Sequence, residues 1–290
     1  MYLRGLIPGS IVFMFHCVPD RDSNKVIGIF NDWELECAFA RNIIRASDPL
    51  TVCPSQFFWH WAQTFGADPA RCQIVMNSVN LSDFECYPTE DERQAWRRDN
   101  NIPAGAHVFV TPARMLKKKG IMDLVMAAPR FDRGAFVIVA SSSHNCDLAF
   151  KTAVDDALRA TGVDNLRIVY DEYDVDSMPR LYSLCNAALL PSHAEGLPLA
   201  VIEAMAARIP VVCSDIEPLR EVVNESNALV SRARDLEDLV EKVNSAMTLD
   251  DLGRRRLTDA AYETVRAKCD AEKNVRDLET LLLHAVAEGR

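Results

Sequence analysis

Pro191-Ser-His-Ala-Glu195-Gly196-Leu197-Pro198-Leu199-Ala-Val-Ile-Glu203-Ala-Met-Ala-Ala-Arg-Ile-Pro210 sets two glutamates apart by seven residues, Glu195 in a Gly/Pro turn and Glu203 inside a helix pattern. Pro198 suits a first helical position, where its missing N–H costs nothing. Leu199, Ile202, Met205 and Ala206 then recur at helical spacing. Before the turn, Asn186-Ala-Ala-Leu-Leu190 reads as a short buried strand, and Val211-Val212-Cys213 as the next. A carboxylate at the carboxyl end of a strand, followed by a helix N-terminus, lies where open α/β sheets bind ligands. The exposed N–H groups of such a helix favour anions. Glu203 stands about five residues into the helix among apolar neighbours, and carboxylates in such places are rarely left without partners.

A second constellation lies upstream. His107-Val-Phe-Val-Thr111 reads as a strand, followed by Pro112-Ala113-Arg114-Met-Leu-Lys-Lys-Lys119-Gly120 and a helix pattern from Ile121 with Leu124, Val125 and Ala128 on one face. Arg holds phosphate oxygens bidentately and Lys acts as a point charge, so a strand leading into an Arg/Lys loop fits a polyphosphate clamp. Against a net charge of −10 the three lysines make a local positive spot. A solvated charge run is the competing account.

The glutamate pair and its surroundings resemble the E-x7-E signature of retaining glycosyltransferases of the GT-B architecture, family 4 (glycosyl transferases group 1). Arg114, Lys119 and Gly120 match that family's G-R-x4-K-G loop, with Ala113 in place of the first glycine. The resemblance implies roles for these residues. Arg114 and Lys119 would hold the donor diphosphate, Glu195 the hexose hydroxyls, and Glu203 the nucleotide ribose. Gly120, Gly196, Leu197, Pro198 and Leu199 would line the donor, and Val169 and Tyr170 would be candidate base contacts. Phe13-Met-Phe-His16-Cys-Val-Pro19 resembles the family's strand that ends in a His and Pro beside the donor sugar, which makes His16 a candidate catalytic residue with Glu195, Arg114 and Lys119. Ser47 to Ser55 resembles a strand ending at a serine before a helix, and Cys72 to Asn80 the element usually written I-P-N-G-V-D. His193 is expected to shape the turn.

Composition bounds the alternatives. The 290 residues are 49% hydrophobic and 26% charged, ordinary for a soluble globular protein. No apolar run reaches the roughly 18 residues of a bilayer span. The opening Met1 to Val18 has too short an apolar run and no small-residue cleavage site for a signal peptide, so a buried strand at Ile11 to Phe15 is expected. Nine cysteines with no C-x-x-C pair read as reduced thiols of a cytoplasmic protein. A pI near 5.1 argues against nucleic acid as a partner. The acidic run Asp171 to Asp176 lacks the glycine and terminal glutamate of a calcium loop. No metal or other cofactor is expected, since cationic side chains take the place of a divalent ion.

Short apolar runs at 107–111, 135–140, 166–170, 187–191 and 211–214 alternate with helix patterns near 120–130, 147–160, 177–185 and 198–208, after a charged helix around Glu90 to Arg98. That order predicts an α/β fold with a parallel sheet covered on both faces. The expected organisation is GT-B-like. A shortened Rossmann-like acceptor-side domain spans 1–82, a Rossmann-like nucleotide-sugar domain spans 83–268, and a helix over 269–290 returns, by resemblance, to the N-terminal domain. Glu217 and Glu221 are expected to open a helix.

The family's opening units, with their Gly-Gly turn, are missing from the first hundred residues. Either a partner chain or oligomer completes the sheet, the chain begins late, or the acceptor pocket is open. The resemblance implies transfer of a sugar from a nucleotide-diphosphate donor, with retention, to a carbohydrate, lipid-linked or small-molecule acceptor, with peripheral membrane contact compatible. Two other readings compete: an inactive nucleotide-sugar-binding homologue or one subunit of a split transferase, and a glycoside hydrolase using the two glutamates. A retaining hydrolase needs carboxyls about 5–5.5 Å apart and has no use for a basic loop.

Overall fold

The computed structural model describes residues 12–14, 33–47, 49–142, 146–170 and 176–287. Two parallel sheets organise it. The first has three strands in the order β1 (Val12–Met14), β2 (Leu50–Cys53) and β3 (Cys72–Ile74), accompanied by helices α1 (Trp33–Ser47) and α2 (Gln56–Thr64). Strand β1 falls inside the stretch expected from Ile11 to Phe15. Ser55, just after β2, is the N-cap of α2, its side chain accepting from the Phe58 N–H.

Helix α3 (Glu90–Asp99) starts at a reciprocal capping box between Thr89 and Glu92, and carries Arg97 and Arg98 in its last turn, where cations suit the helix dipole. The second sheet follows. Its six strands are β4 (His107–Pro112), β5 (Ala135–Ser141), β6 (Leu166–Tyr170), β7 (Ala187–Leu190), β8 (Val211–Asp215) and β9 (Leu229–Arg232). They lie in the order β6-β5-β4-β7-β8-β9, every pair parallel. Every residue of β5 and β7 is buried, the run of continuous apolar residues that a sheet covered on both faces requires.

One face carries α6 (Met178–Leu184), α7 (Leu199–Ala206) and α9 (Asp251–Lys268), packed on Val108, Val110, Ile138, Ala188 and Cys213. The other carries α4 (Ile121–Ala127), α5 (Leu148–Thr161) and α8 (Leu236–Met247), packed on Phe109, Val137, Val139, Leu189 and Val212. Adjacent strand residues thus divide between two cores, as a period of two demands. Strand order reverses between β4 and β7, and the crevice beyond their carboxyl ends is the switch point at which such sheets bind ligands.

Local departures from the sequence reading have local causes. The helix expected to 130 ends at Ala127 and tightens into a 3-10 turn over Ala128–Arg130, because Pro129 has no N–H to continue the ladder. Residues Glu217–Glu221 form a 3-10 turn with Pro218 inside it. Glu221 does not serve its own helix. Its two carboxylate oxygens accept from the Gln56 and Phe57 amides at 2.8 and 3.0 Å, capping α2 of the smaller sheet. The last helix, α10 (Ala271–Ala287), is tied at its first turn to the segment after β3: Asn274 donates to the Met76 carbonyl, and Val79 pairs with Asp270. Along the rest of α10, Val275, Leu283 and Val286 are exposed.

Candidate active site

Two loops leave the switch point, Ala113 to Gly120 after β4 and Pro191 to Pro198 after β7. They are built against each other. Gly120 has φ +68, in the left-handed region, and a Cβ there would stand 2.0 Å from the Pro191 carbonyl oxygen. Only glycine fits both the conformation and the approach. The His193 amide donates to the Lys118 carbonyl at 2.7 Å, and its Nε2 lies 2.6 Å from Asp123 Oδ2 on α4. His193 thus clamps the turn to α4, as a turn-shaping residue does.

This docking brings Lys119 to Glu195. Its ammonium lies 2.5 Å from Glu195 Oε1, with the side chains only 15% and 10% exposed. Ser192 Oγ donates to the same oxygen at 2.8 Å. Away from bulk water such a pair is stronger than a surface ion pair. Oε2 of Glu195 accepts no hydrogen bond among the described residues. Arg114, half-buried in the same loop, makes no side-chain hydrogen bond or ion pair among them.

The turn then feeds α7. Leu197 is buried, and its carbonyl accepts from Asn77 Nδ2 at 2.7 Å, so the segment after β3 reaches the site. Pro198 is the N-cap, and no side chain caps the helix. The first N–H groups, at Leu199 and Ala200, are therefore unmet by a capping group, and the helix dipole adds positive potential there.

Glu203 lies about 6 Å of helix rise beyond Leu199. Its Oε2 is 2.9 Å from the hydroxyl of Tyr182 on α6, and that hydroxyl is 3.0 Å from the Ala200 carbonyl. One phenol proton faces two acceptors. Burial raises the Glu203 carboxyl above its ordinary value, and the Tyr182 hydrogen bond offsets part of that rise. Tyr182 is fully buried and titrates well above the ordinary tyrosine value, through burial and then the nearby Glu203, so it stays a donor.

Among the other sequence-derived candidates, Val169 packs on the core that holds Tyr182 and Ile202, the Glu203 side of the sheet. Tyr170 packs on the opposite core beneath the Lys151 ammonium, 4.7 Å from its ring centre. Successive strand residues cannot face one way, so Val169 and Tyr170 do not form a joint wall. His16 lies outside the described residues, as does the acidic run from Asp171 to Val175. The sequence reading did not assign roles to Ser192, Asp123, Asn77 or Tyr182. Ser192 and Asn77 lie inside the motifs that carry the resemblance, whereas Asp123 and Tyr182 carry only helix-pattern signals.

The model of the family described as Glycosyl transferases group 1 matches residues 92–264. The putative teichuronic acid biosynthesis glycosyltransferase TuaC of Bacillus subtilis (strain 168) is 24% identical over 205 residues, covering 71% of this chain and 49% of that protein. The glycogen synthase of Mycobacterium tuberculosis is 28% identical over 233 residues, covering 79% and 52%. The chain therefore spans about half the length of these curated relatives. Among solved structures, Anabaena HepE in complex with UDP and glucose superposes with a TM-score of 0.79 at 16% identity, covering 94% of this chain and 71% of that one. The sucrose-phosphate synthase of Thermosynechococcus elongatus gives 0.82 at 20%, covering 99% and 70%. The fold is that of the GT-B glycosyltransferases. No helix among the described residues is long and apolar enough to cross a membrane.

Proposed function

Because the chain belongs to the glycosyl transferases group 1 family, we propose that it binds a nucleoside-diphosphate sugar at the β4/β7 switch point and transfers the sugar with retention of configuration, as a family 4 enzyme. The observation that carries this reading is the Lys119–Glu195 contact, which joins the basic loop to the first glutamate of the E-x7-E pair.

The chemistry follows from charge. Breaking the sugar–phosphate bond develops negative charge on the departing diphosphate and positive charge on the sugar. Lys119 and Arg114, with the Leu199 and Ala200 amides, oppose the first. Lys119 exchanges Glu195 for phosphate oxygen as the donor enters, and the released carboxylate accepts from a sugar hydroxyl. Glu203 has an acceptor in excess of the one proton that Tyr182 supplies. Two ribose hydroxyls would satisfy it. In this reading the cations replace a divalent ion, so chelation leaves turnover intact. The protein is cytoplasmic, its acceptor a carbohydrate, lipid-linked or small molecule.

A thermal-shift series with nucleoside diphosphates, UDP first, tests the proposal on wild type, Glu203→Ala and Lys119→Ala. One diphosphate stabilises the wild type, and both variants lose most of the response. A folded wild type indifferent to every diphosphate would defeat the reading. Binding without turnover would point instead to a nucleotide-sugar-binding homologue or one subunit of a split transferase.

A further inference from the structure

At the amino end of the six-stranded sheet, away from the donor loops, lies a cleft of about 770 Å³. Its floor includes His107, which opens β4, with Asn186 and Pro210, which immediately precede β7 and β8. Five arginines line it (Arg93, Arg97, Arg208, Arg254 and Arg255), against one carboxylate, Glu90. Three of these cations have an acidic neighbour. Arg93 lies 3.7 Å from Glu90, Arg208 2.6 Å from Asp259, and Arg254 2.9 Å from Asp251. Arg97 and Arg255 have no carboxylate at ion-pair distance among the described residues.

Arg97 is the unusual member. It is only 7% exposed, and arginine stays charged in a protein. Its two terminal nitrogens donate to neutral acceptors, Nη1 to the Ala106 carbonyl at 2.9 Å and Nη2 to Asn186 Oδ1 at 3.2 Å. Nε is buried with no partner, and so is Nε2 of His107. A buried charge without a countercharge is costly, and arginines of this kind ordinarily face a carboxylate or phosphate. Arg97 and His107 both line the cleft, which gives a countercharge room beside the Arg97 guanidinium without reaching these two closed-off nitrogens.

We propose that this cleft is a second ligand site that takes a small phosphorylated metabolite, with Arg97 as the fixed cation of its floor and Arg254 and Arg255 as exposed cations at its mouth. Phosphate oxygens suit forked guanidinium donors, and Tyr87, 83% exposed at the rim, offers a flat apolar face for the organic part. A nucleic-acid backbone is disfavoured by the net charge of −10 around this local patch. The site stands on its own residues and is independent of the donor reading. Across strands of this length it lies on the order of 15–20 Å from the switch point.

Two histidines report the two sites separately. His107 lines the cleft, and its basicity is lowered by burial, then by Arg254 and Arg97. His193 belongs to the donor loops. The test is histidine Cε1 NMR of the whole protein, titrated with inorganic phosphate and pyrophosphate at constant ionic strength, His107 being assigned with His107→Gln. The expected result is a saturable shift of His107 and a rise in its pKa. The exposed double variant R254A/R255A weakens that response roughly tenfold or more, whereas Lys119→Ala leaves it unchanged. A His107 signal unmoved up to about 10 mM phosphate or pyrophosphate would overturn the proposal. So would an equal response in the double variant, an equal response to chloride, or movement of His193 alone.

Discussion

The two ends of the larger sheet handle positive charge in opposite ways. At the carboxyl end, Lys119 meets Glu195 at 2.5 Å in a loop held by Gly120 and His193. At the amino end, Arg97 is buried and meets only neutral oxygens. A paired cation is already positioned, and its ligand must displace a partner. An unpaired buried cation is positioned by its own hydrogen bonds and gains most from any anion that arrives. Paired and unpaired sites therefore differ in what a substitution should do to stability and to binding.

The largest expected effect tests whether the paired end depends on loop docking. Gly120→Ala forces a Cβ against the Pro191 carbonyl at positive φ. It should lower unfolding free energy by about 2–4 kcal/mol in urea titrations and abolish diphosphate stabilisation. A variant of wild-type stability would show that the loops do not need each other. Next comes Arg114→Ala, whose side chain has no hydrogen-bond or ion-pair partner among the described residues and which should therefore reduce sugar transfer about 100–1000-fold while shifting stability by under about 1 kcal/mol. Parallel losses in both would make the basic loop structural.

A third, smaller effect separates Glu203 from Glu195. Because burial raises the Glu203 carboxyl, its contribution to stability is complete below the unfolded value of 4.5 and is lost as pH rises through the folded value. Glu203→Gln removes that slope. At neutral pH it should unfold at the same or a higher denaturant concentration than wild type, while transfer falls. A clear loss of stability would mean that the charge is needed for folding.

The smallest effect belongs to the unpaired end. His107 titrates below its ordinary 6.5, so the unfolded chain binds more protons and wild type weakens as pH falls through 6.5 toward the folded value. His107→Gln should flatten this part of the profile.

Much of the larger sheet was legible from alternation alone. Strands β4 to β8 are built on short apolar runs, and each begins and ends within a residue or two of its pattern. Strand β9 and helices α8 and α9 went unread beyond the domain boundary at Lys268. Leu236, Leu239, Val240 and Val243 nonetheless carry a helical period. The Glu/Lys candidates were visible because residue type and spacing carried them. Tyr182 was not, since a tyrosine in an apolar helix stripe looks like any core aromatic until its hydroxyl is seen to reach another helix.

The amino-acid sequence by itself determined the strand–helix alternation from β4 to β8, the two glutamates, the basic loop and the glycine that closes it. These are local properties, set by side-chain period, turn chemistry and residue type within a few positions. Only the tertiary structure decided which charges meet. Lys119 and Glu195 touch because β4 and β7 are neighbours at the switch point, Glu221 caps a helix of the other sheet, and Arg97 is left with neutral partners. Electrostatic pairing depends on distance through space and on burial, and neither is written in the spacing of residues along a chain.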